Sequence, residues 1–456
     1  MGKTRTMDLT EGPIMKKLIA FSVPILLTSL MNHTFTIADR VVVGRFAENG
    51  TQALAAVGAT GMLTSLIVSL FSGLTTGVDV ICANRRGARD QEALDRCMHS
   101  ALVLGALVGI LLALLGIVTA RPFLLWMNTP ADIIDDSLLY MWIYCLGLPA
   151  LSVNGFGGGI LRAHGDTKRP MYYLAVAGIV NVVLNIILVV VFKLDVVGVA
   201  IATAVSQYVS LGLKIIILFS PRDVYKLQWK KLRMDRATNR AIIRVGVPCS
   251  LNSVGFSIAN LLLQSAVNTF GSVAIAGKTA SLDISTLILQ GINTAHTSCI
   301  TFVGQCYGAK KYHRVHQAWK KSQLLCACYV FATAAVCTLF SHRLLGMFVD
   351  DTEAIAVGHE LLMINVWGYF LYGIANVSMG CLRGMGRSSL SNTMNFLGIF
   401  VPRLLWVSFI FPLYHDITFL YLCNPISWVI IATAQTVYYF YCRKKLLRPE
   451  GAMEGG

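Results

Sequence analysis

The heptapeptide GILRAHG at residues 159–165 returns in altered form as GCLRGMG at 380–386, 221 residues further along the chain. Other landmarks recur in the same order at nearly the same spacing. They are Gly87 and Gly308, Gly147 and Gly368, Arg121 and Arg343, and Pro24 and Pro248. Several landmarks that keep one order and one shift indicate a duplication. We therefore interpret residues 14–220 and 240–442 as two copies of one unit.

The composition indicates that the duplicated unit lies in a membrane. Hydrophobic residues make up 55% of the chain and charged residues 13%, with a mean hydropathy of +0.64. Soluble domains carry about 25% charged residues. Segments 101–119 and 172–192 are almost free of charge. Each has roughly the 20 residues that an α-helix needs to cross the hydrocarbon core of a bilayer.

The sequence predicts twelve membrane-spanning helices, six in each copy. The segment 273–304 contains Lys278, Asp283, Gln290 and His296, and the repeat alone identifies it as a span. The twelve predicted spans are 16–43, 53–82, 95–119, 133–160, 170–192, 197–219, 240–268, 273–304, 315–340, 354–381, 389–412 and 417–441.

The distribution of positive charge predicts the orientation. With the N-terminus in the cytoplasm, the cytoplasmic segments hold 26 Lys and Arg residues, whereas the opposite side holds only Arg45, Arg121, Lys193 and Arg343. This asymmetry is typical of the positive-inside rule. It predicts that both termini are cytoplasmic, and it accounts for most of the net charge of +15 without a nucleic-acid partner.

Six spans per copy is an even number, so both copies enter the membrane in the same direction. The predicted fold class is an all-α polytopic membrane protein with twelve transmembrane helices. These form two parallel six-helix repeats, related by a pseudo-two-fold axis along the membrane normal. The predicted domains are an N-terminal bundle at 1–219, a basic cytoplasmic linker at 220–240 and a C-terminal bundle at 241–456.

Polar residues inside apolar spans mark candidate functional sites, because burying them there is costly. Asn32, Thr36 and Asp39 share one face of the first span, and Asn181 and Asn185 share one face of the fifth. The oxygens of Asp39, Asn181 and Asn185 could coordinate Na⁺, and Asp39 alone could hold a proton. Asn32 and Thr36 are candidates for lining a cavity. Alternatively, Asp39 pairs with Arg40 or with hydroxyl groups, and the two amides only join helices.

The second copy carries other polar groups. At the positions of Asp39, Asn181 and Asn185 it has Leu263, Pro402 and Trp406. Lys278, Asp283 and Arg403 are candidates for lining a cavity, as is Gln207 in the sixth span. We expect Arg403 to lie at a depth where Asp283 could meet it. Asp79, near Arg85 and Arg86, is expected to form a surface ion pair.

Catalytic and structural-metal motifs are not evident. The twelve cysteines are scattered without a CxxC pair, and His313 and His316 lie in a basic loop without a supporting carboxylate. We therefore expect no enzyme activity, no cofactor and no bound metal beyond a transient Na⁺.

Several segments together resemble the multidrug and toxic compound extrusion (MATE) family of the multidrug, oligosaccharidyl-lipid and polysaccharide exporter superfamily. Pro24 followed by ADRVVVG at 38–44 is similar to its first span. The remaining matches are Gly87-Ala88, GQCYGA at 304–309, LRAHGD at 161–166, LRGMG at 382–386 and NVVLN at 181–185. The resemblance covers about residues 8–445.

This resemblance implies export of small cationic or amphipathic compounds by Na⁺ or H⁺ antiport across the plasma membrane. It implies Asp39 as the acid of the first span, and Asn181 and Asn185 as the polar pair of the fifth. Some members of the family have an acid in that pair. In this sequence both residues of the pair are asparagines, so Asp39 would be the only carboxylate of the three. Pro24 and Pro248 are the expected bending points. We expect a monomer whose partners are small-molecule substrates and the lipid bilayer. A flippase for lipid-linked precursors, from the same superfamily, is the alternative.

Overall fold

The computed structural model describes residues 6–47, 50–127, 129–221, 223–414 and 416–446, which form helices and their connections without strands. The predicted cytoplasmic termini include residues 1–5 and 447–456, which lie outside the described residues.

The first copy contains α1 (Ile14–Phe46), α2 (Gly50–Gly87), α3 (Gln91–Trp126), α4 (Ile134–Ala163), α5 (Lys168–Asn185) and α6 (Asp195–Leu218). The second contains α7 (Arg236–Val267), α8 (Ser272–Gly308), α9 (Tyr312–Leu345), α10 (Thr352–Val366), α11 (Tyr369–Gly384), α12 (Ser388–Leu405), α13 (Phe411–Tyr414), α14 (Ile417–Tyr421) and α15 (Cys423–Leu446).

The prediction of twelve spans is confirmed. Among the described residues, 11 helices are long and apolar enough to cross a membrane, and the bent pair α10 and α11 makes a twelfth. The segment 273–304, identified only from the repeat, lies within the single helix α8.

The tenth span differs from its prediction as one straight helix, because it bends by 47° between α10 and α11. At this point backbone hydrogen bonds join residues that are three apart instead of four. Phe370 N donates to Trp367 O, and Leu371 N donates to Gly368 O. A Cβ on Gly368 would lie 2.7 Å from the Trp428 ring. Glycine therefore lets Trp428 pack against the bend itself.

Backbone details repeat at the offset seen in the sequence. Gly165 and Gly386 both have positive φ, at 80° and 75°. Arg89 and Lys310, also 221 residues apart, have φ of 59° and 56°, which is uncommon for residues other than glycine. The fifth span of each copy changes from α-helical to π-helical geometry, at Ile186–Val191 in the first copy and at Trp406–Ile410 in the second. The duplication therefore preserves local distortions as well as helices.

The described residues form two compact units. The N-terminal unit contains residues 6–7, 23–86 and 90–250, and the C-terminal unit contains 8–22, 87–89 and 251–446. Helix α1 therefore changes unit after Ser22, and α7 changes unit after Ser250. The division at 220–240 inferred from the sequence stays a prediction.

The basic linker packs closely on the N-terminal unit. Tyr225 is buried, and the Gln228 backbone N–H donates to His99 Nε2 at 3.0 Å. The Asp235 N–H donates to Ser100 Oγ at 2.9 Å, and Arg85 donates to Thr238 Oγ1 at 3.0 Å. This segment is therefore a fixed part of the unit rather than a loose spacer.

Candidate functional site

Asp39, Asn181 and Asn185, here called the Asp39 cluster, meet inside the N-terminal unit. Asn185 Nδ2 donates to Asp39 Oδ1 at 2.5 Å and lies 3.4 Å from Asn181 Oδ1. Asn185 is fully buried, Asn181 is buried and Asp39 is half-buried. Asn185 Oδ1 is buried without a hydrogen-bond partner among the described residues. The site thus combines one carboxylate, one unsatisfied amide oxygen and a second amide.

Close approach of α5 to α1 positions this cluster. A Cβ on Gly178 would lie 1.9 Å from the Phe35 ring, so only glycine fits at this contact. Gly178, Asn181 and Asn185 are three and seven residues apart, which places them on one face of α5. The glycine therefore lets the amides reach the helix that carries Asp39.

An apolar cluster lies one turn beyond Asp39 and Asn185. Val42, Val43, Tyr140 and Val189 belong to it and are buried. Water is poorly accommodated among such side chains, and electrostatic interactions strengthen in an environment of low dielectric constant. The half-buried carboxylate thus lies next to a buried apolar cluster.

Asn32 and Thr36 share the stripe of α1 that carries Asp39, but both side chains are exposed. The Thr36 hydroxyl donates to the Asn32 backbone carbonyl at 3.0 Å. In the part of the chain that the structure describes, neither side chain hydrogen-bonds to the Asp39 cluster. Their assignment as cavity-lining residues stays a prediction.

Gln207 belongs to a separate polar group in the N-terminal unit. Its Oε1 accepts a hydrogen bond from Asn154 Nδ2 at 3.3 Å. Lys214 Nζ donates to the Asn154 backbone carbonyl at 3.1 Å and is buried. Lys214 was not predicted from the sequence, although a lysine within the predicted span 197–219 was a visible signal.

The expected surface ion pair of Asp79 is wrong. Asp79 is buried, and its carboxylate pairs with Arg162, whose Nη2 lies 2.8 Å from Oδ2. Arg162 Nε approaches the two carboxylate oxygens at 3.2 and 3.1 Å, so the pair is bidentate. Arg162 belongs to the first duplicated heptapeptide, which was the available signal for its importance.

In the C-terminal unit, Lys278 and Arg403 line one cavity of about 320 Å³. Arg403 and Asp283 could have met at their depth, but among the described residues no ion pair joins them, and Arg403 Nη1 donates to Asn260 Oδ1 at 2.8 Å. Its guanidinium lies over the Phe256 ring, 5.5 Å from the centroid. Lys278 Nζ donates to Gln264 Oε1. Asp283 is half-buried and is not among the residues that line this cavity.

The two candidate hinges lie inside long helices. Pro24 interrupts α1 and Pro248 interrupts α7. A proline has no backbone N–H, so it removes one hydrogen bond from its helix. The Pro24 carbonyl also accepts a hydrogen bond from the Thr28 hydroxyl at 2.7 Å. Each proline lies within two residues of the point where its helix changes unit.

Comparison with known proteins identifies the family. The MatE family model matches residues 24–187 and 248–405, once in each copy. The probable multidrug resistance protein YoeA of Bacillus subtilis is 26% identical over 390 residues, which cover 84% of this chain and 83% of that protein. The probable multidrug resistance protein YpnP of the same organism is 23% identical, with 97% and 98% covered.

A solved structure of a multidrug resistance MATE family transporter of the MOP superfamily, in an outward-facing conformation, has the same fold. Its TM-score is 0.89 at 22% identity, covering 98% of this chain and 99% of that chain. The family model spans more than half of the chain. This chain therefore belongs to the MatE family of multi-pass membrane transporters and is not an enzyme.

Proposed function

We propose that the protein is an ion-coupled antiporter that exports small cationic or amphipathic organic compounds, with the Asp39 cluster as its coupling site. The contact of 2.5 Å between Asn185 Nδ2 and Asp39 Oδ1 carries this proposal. It brings the Asp39 carboxylate next to the Asn185 amide, whose oxygen lacks a hydrogen-bond partner among the described residues. The names of the relatives YoeA and YpnP support multidrug export as the activity.

The Asp39 cluster could bind either coupling ion. A proton would neutralise the Asp39 carboxylate. For Na⁺, a half-turn of the Asn185 amide would direct its oxygen toward the ion, beside Asp39 and Asn181 Oδ1. These hard oxygen ligands suit small hard cations. Only Asp39 of the three can change its charge, so it is the residue through which the ion acts.

Antiport follows if the ion and the cargo compete for the same charge. An ionised Asp39 attracts a cationic cargo, whereas an ion-occupied Asp39 is neutral and attracts it less. Binding energies of this kind are reciprocal, so the cargo also weakens the binding of the ion. An inward ion gradient would then load the ion and release the cargo on the outer side.

We further propose that the protein is a monomer in the plasma membrane. The distribution of positive charges supports a cytoplasmic position for both termini. Bending of α1 at Pro24 and of α7 at Pro248 would open and close the route to the site. Spin labels at Ile19 and Ile37, both exposed on α1, would report the bend as a distance that changes with the coupling ion. Pro24→Ala should reduce that change.

Everted membrane vesicles that take up ethidium under an imposed Na⁺ or H⁺ gradient test the function. We expect the wild-type protein to respond to one of the two gradients and Asp39→Asn to lose that response, because an amide cannot change its charge. Asp283→Asn is the matched control, since it removes a half-buried acid from the C-terminal unit and should retain transport.

Folding of Asp39→Asn is checked by size-exclusion chromatography and thermal melting of the purified protein. Full gradient-driven transport by a folded Asp39→Asn protein would exclude Asp39 from coupling. Translocation of a lipid-linked pyrophosphate in liposomes, without any gradient-driven ethidium uptake, would favour the flippase alternative.

A further inference from the structure

The cavity of the C-terminal unit that Lys278 and Arg403 line differs in charge from the Asp39 cluster. Its volume of about 320 Å³ is within the range of small-molecule sites. Two of its lining residues, Lys278 and Arg403, are cationic, and they are only 5% and 3% exposed. The fourteen lining residues, all within the described part of the chain, include no aspartate or glutamate. The cavity is therefore a buried cationic site.

The local partners of these two cations are neutral. Lys278 donates to the Gln264 side chain, and Arg403 donates to the Asn260 side chain. Arg403 Nε is buried without a hydrogen-bond partner among the described residues. Buried charges are costly unless they are paired, and buried donors are normally satisfied. A ligand that brings negative charge would supply what this site lacks.

The geometry of Arg403 specifies the acidic group. Its Nη1 is occupied by Asn260, whereas the unpartnered Nε–H shares the other edge of the planar guanidinium with Nη2. This edge can present two parallel donors to one carboxylate. Lys278 adds a second positive charge to the same cavity. A carboxylate matches this arrangement, and a cation would be repelled by it.

Aromatic side chains supply the rest of the lining. The Trp428 ring lies 4.9 Å from Tyr369 and 5.7 Å from Tyr372, measured between centroids, and all three residues line the cavity. Aromatic rings favour offset or edge-to-face contact with other flat rings. The cavity thus offers an aromatic surface as well as two cations.

We propose that the C-terminal unit contains a binding site for a small organic anion that carries a flat apolar ring. Lys278 and Arg403 receive the acidic group, and Tyr372 and Trp428 contact the ring. This site goes beyond the proposed export of cationic compounds and does not depend on ion coupling at Asp39.

Three probes that share the naphthalene ring system test the charge preference. They are 2-naphthoate, its neutral amide and 2-naphthylmethylammonium. Their binding to the wild-type protein is measured by calorimetry in phosphatidylcholine nanodiscs. We expect the carboxylate to bind at least about tenfold more tightly than the amide, because it gains charge-assisted hydrogen bonds. The ammonium should bind most weakly. Equal or weaker binding of the carboxylate than of the amide would overturn the proposal.

Variants locate the binding. Arg403→Gln and Lys278→Gln should each remove most of the tenfold preference, and Arg403→Lys should retain part of it. Leu289→Trp fills the cavity while keeping both cations, so it should abolish binding of all three probes. Lys214→Gln is the matched control, because it removes a buried cation from the N-terminal unit and should leave the preference unchanged.

The remaining arm distinguishes a soluble anion from a lipid headgroup. Phosphatidylglycerol added to the nanodiscs should leave naphthoate binding unchanged. Loss of the charge-dependent binding in that membrane would show that an anionic lipid occupies the cavity and would contradict the proposal. An unchanged preference in a folded Leu289→Trp protein would also contradict it. These binding measurements do not require transport, so their result is independent of the transport test of Asp39.

Discussion

The N-terminal and C-terminal units have matching helices but differ in the charged residues that they hold at corresponding positions. In the N-terminal unit, Asp39 accepts a hydrogen bond from the Asn185 amide and Arg162 pairs with Asp79. In the C-terminal unit, Leu263 occupies the position of Asp39, and Arg403 contacts the neutral Asn260. A duplicated scaffold can therefore preserve its backbone while the charged residues at corresponding positions differ.

The contact between the first and fifth spans shows what the two copies must retain. Gly178 of α5 accommodates the Phe35 ring of α1, whereas Gly255 of α7 accommodates the Phe396 ring of α12, which would lie 2.2 Å from a Cβ on that glycine. The glycine and the phenylalanine have exchanged helices between the copies. Close approach of these two helices is thus common to both units, and the polar residues beside the contact are free to differ.

The largest expected difference between the units concerns the duplicated arginines Arg162 and Arg383. Arg162→Leu leaves the Asp79 carboxylate buried without its partner, which costs about 3–5 kcal/mol of stability. Arg383 instead contacts Asn392 Oδ1 and His296 Nε2, at 3.1 and 3.0 Å. Arg383→Leu leaves neutral groups, so it should cost about 1–3 kcal/mol.

Thermal melting of the two purified variants compares these costs. We expect a clearly lower melting temperature for Arg162→Leu than for Arg383→Leu. Asp79→Asn combined with Arg162→Leu should recover part of the loss, because it removes the uncompensated charge. Equal melting temperatures for the two single variants would show that the charge of Asp79 is unimportant for stability.

An intermediate effect is expected for the amides of the Asp39 cluster. Asn185→Ala and Asn181→Ala should each lower gradient-driven transport by about tenfold, since the first removes a polar contact to the Asp39 carboxylate and the second removes a polar contact to Asn185. Adding either change to Asp39→Asn should cause no further loss, because all three act through one ion. Asn260→Ala combined with Asn185→Ala should instead give the product of the two single effects. Multiplying losses within the cluster would favour the interpretation in which the amides only join helices.

The sequence was sufficient for the helices because hydrophobicity and the repeat act over long segments. The segment 273–304 was placed by the repeat alone, and α8 agrees with it. The bend between α10 and α11, where Trp428 packs at Gly368, was not predicted, since hydropathy and the repeat do not report packing between distant helices. Gly147 occupies the same repeat position in the unbroken helix α4, so glycine by itself does not bend the chain.

The site was only partly predictable for a related reason. Helical periodicity grouped Asn181 with Asn185 and predicted one face, and the structure brings Asp39 to that face. Pairings between distant helices were not accessible in this way. Similar depth in the membrane predicted that Arg403 and Asp283 could meet, whereas the rotation of each helix about its axis directs Arg403 to Asn260. Depth follows from residue counts, but rotation follows from packing contacts such as that of Gly178 with Phe35.

The smallest expected effect concerns how the first helix of each copy begins. In the second copy, Asp235 caps α7, with its Oδ2 accepting from the Thr238 N–H at 2.8 Å. In the first copy, Lys17 Nζ instead donates to the Glu11 carbonyl at 2.7 Å. Hydrogen bonds from the Thr238 side chain and backbone lower the pKa of Asp235. Asp235→Ala should cost about 1 kcal/mol at neutral pH.

This cost should depend on pH. Because the folded pKa of Asp235 is lowered, its stabilisation is present above the unfolded pKa and is lost as the pH falls through the folded value. The difference in melting temperature between wild type and Asp235→Ala should therefore shrink in acid. Asp235→Asn is the control, since asparagine also caps helices but does not titrate. A pH-independent difference would assign the stabilisation to a source other than this carboxylate.

The most direct test of the difference between the units is ion binding to the purified protein, without transport or cargo. Binding of Na⁺ is followed by calorimetry, and binding of protons by the uptake from a weakly buffered solution. We expect wild type and Asp283→Asn to bind one coupling ion, and Asp39→Asn to bind none while remaining folded. Wild-type ion binding by a folded Asp39→Asn protein would contradict the assignment of the coupling site to the N-terminal unit.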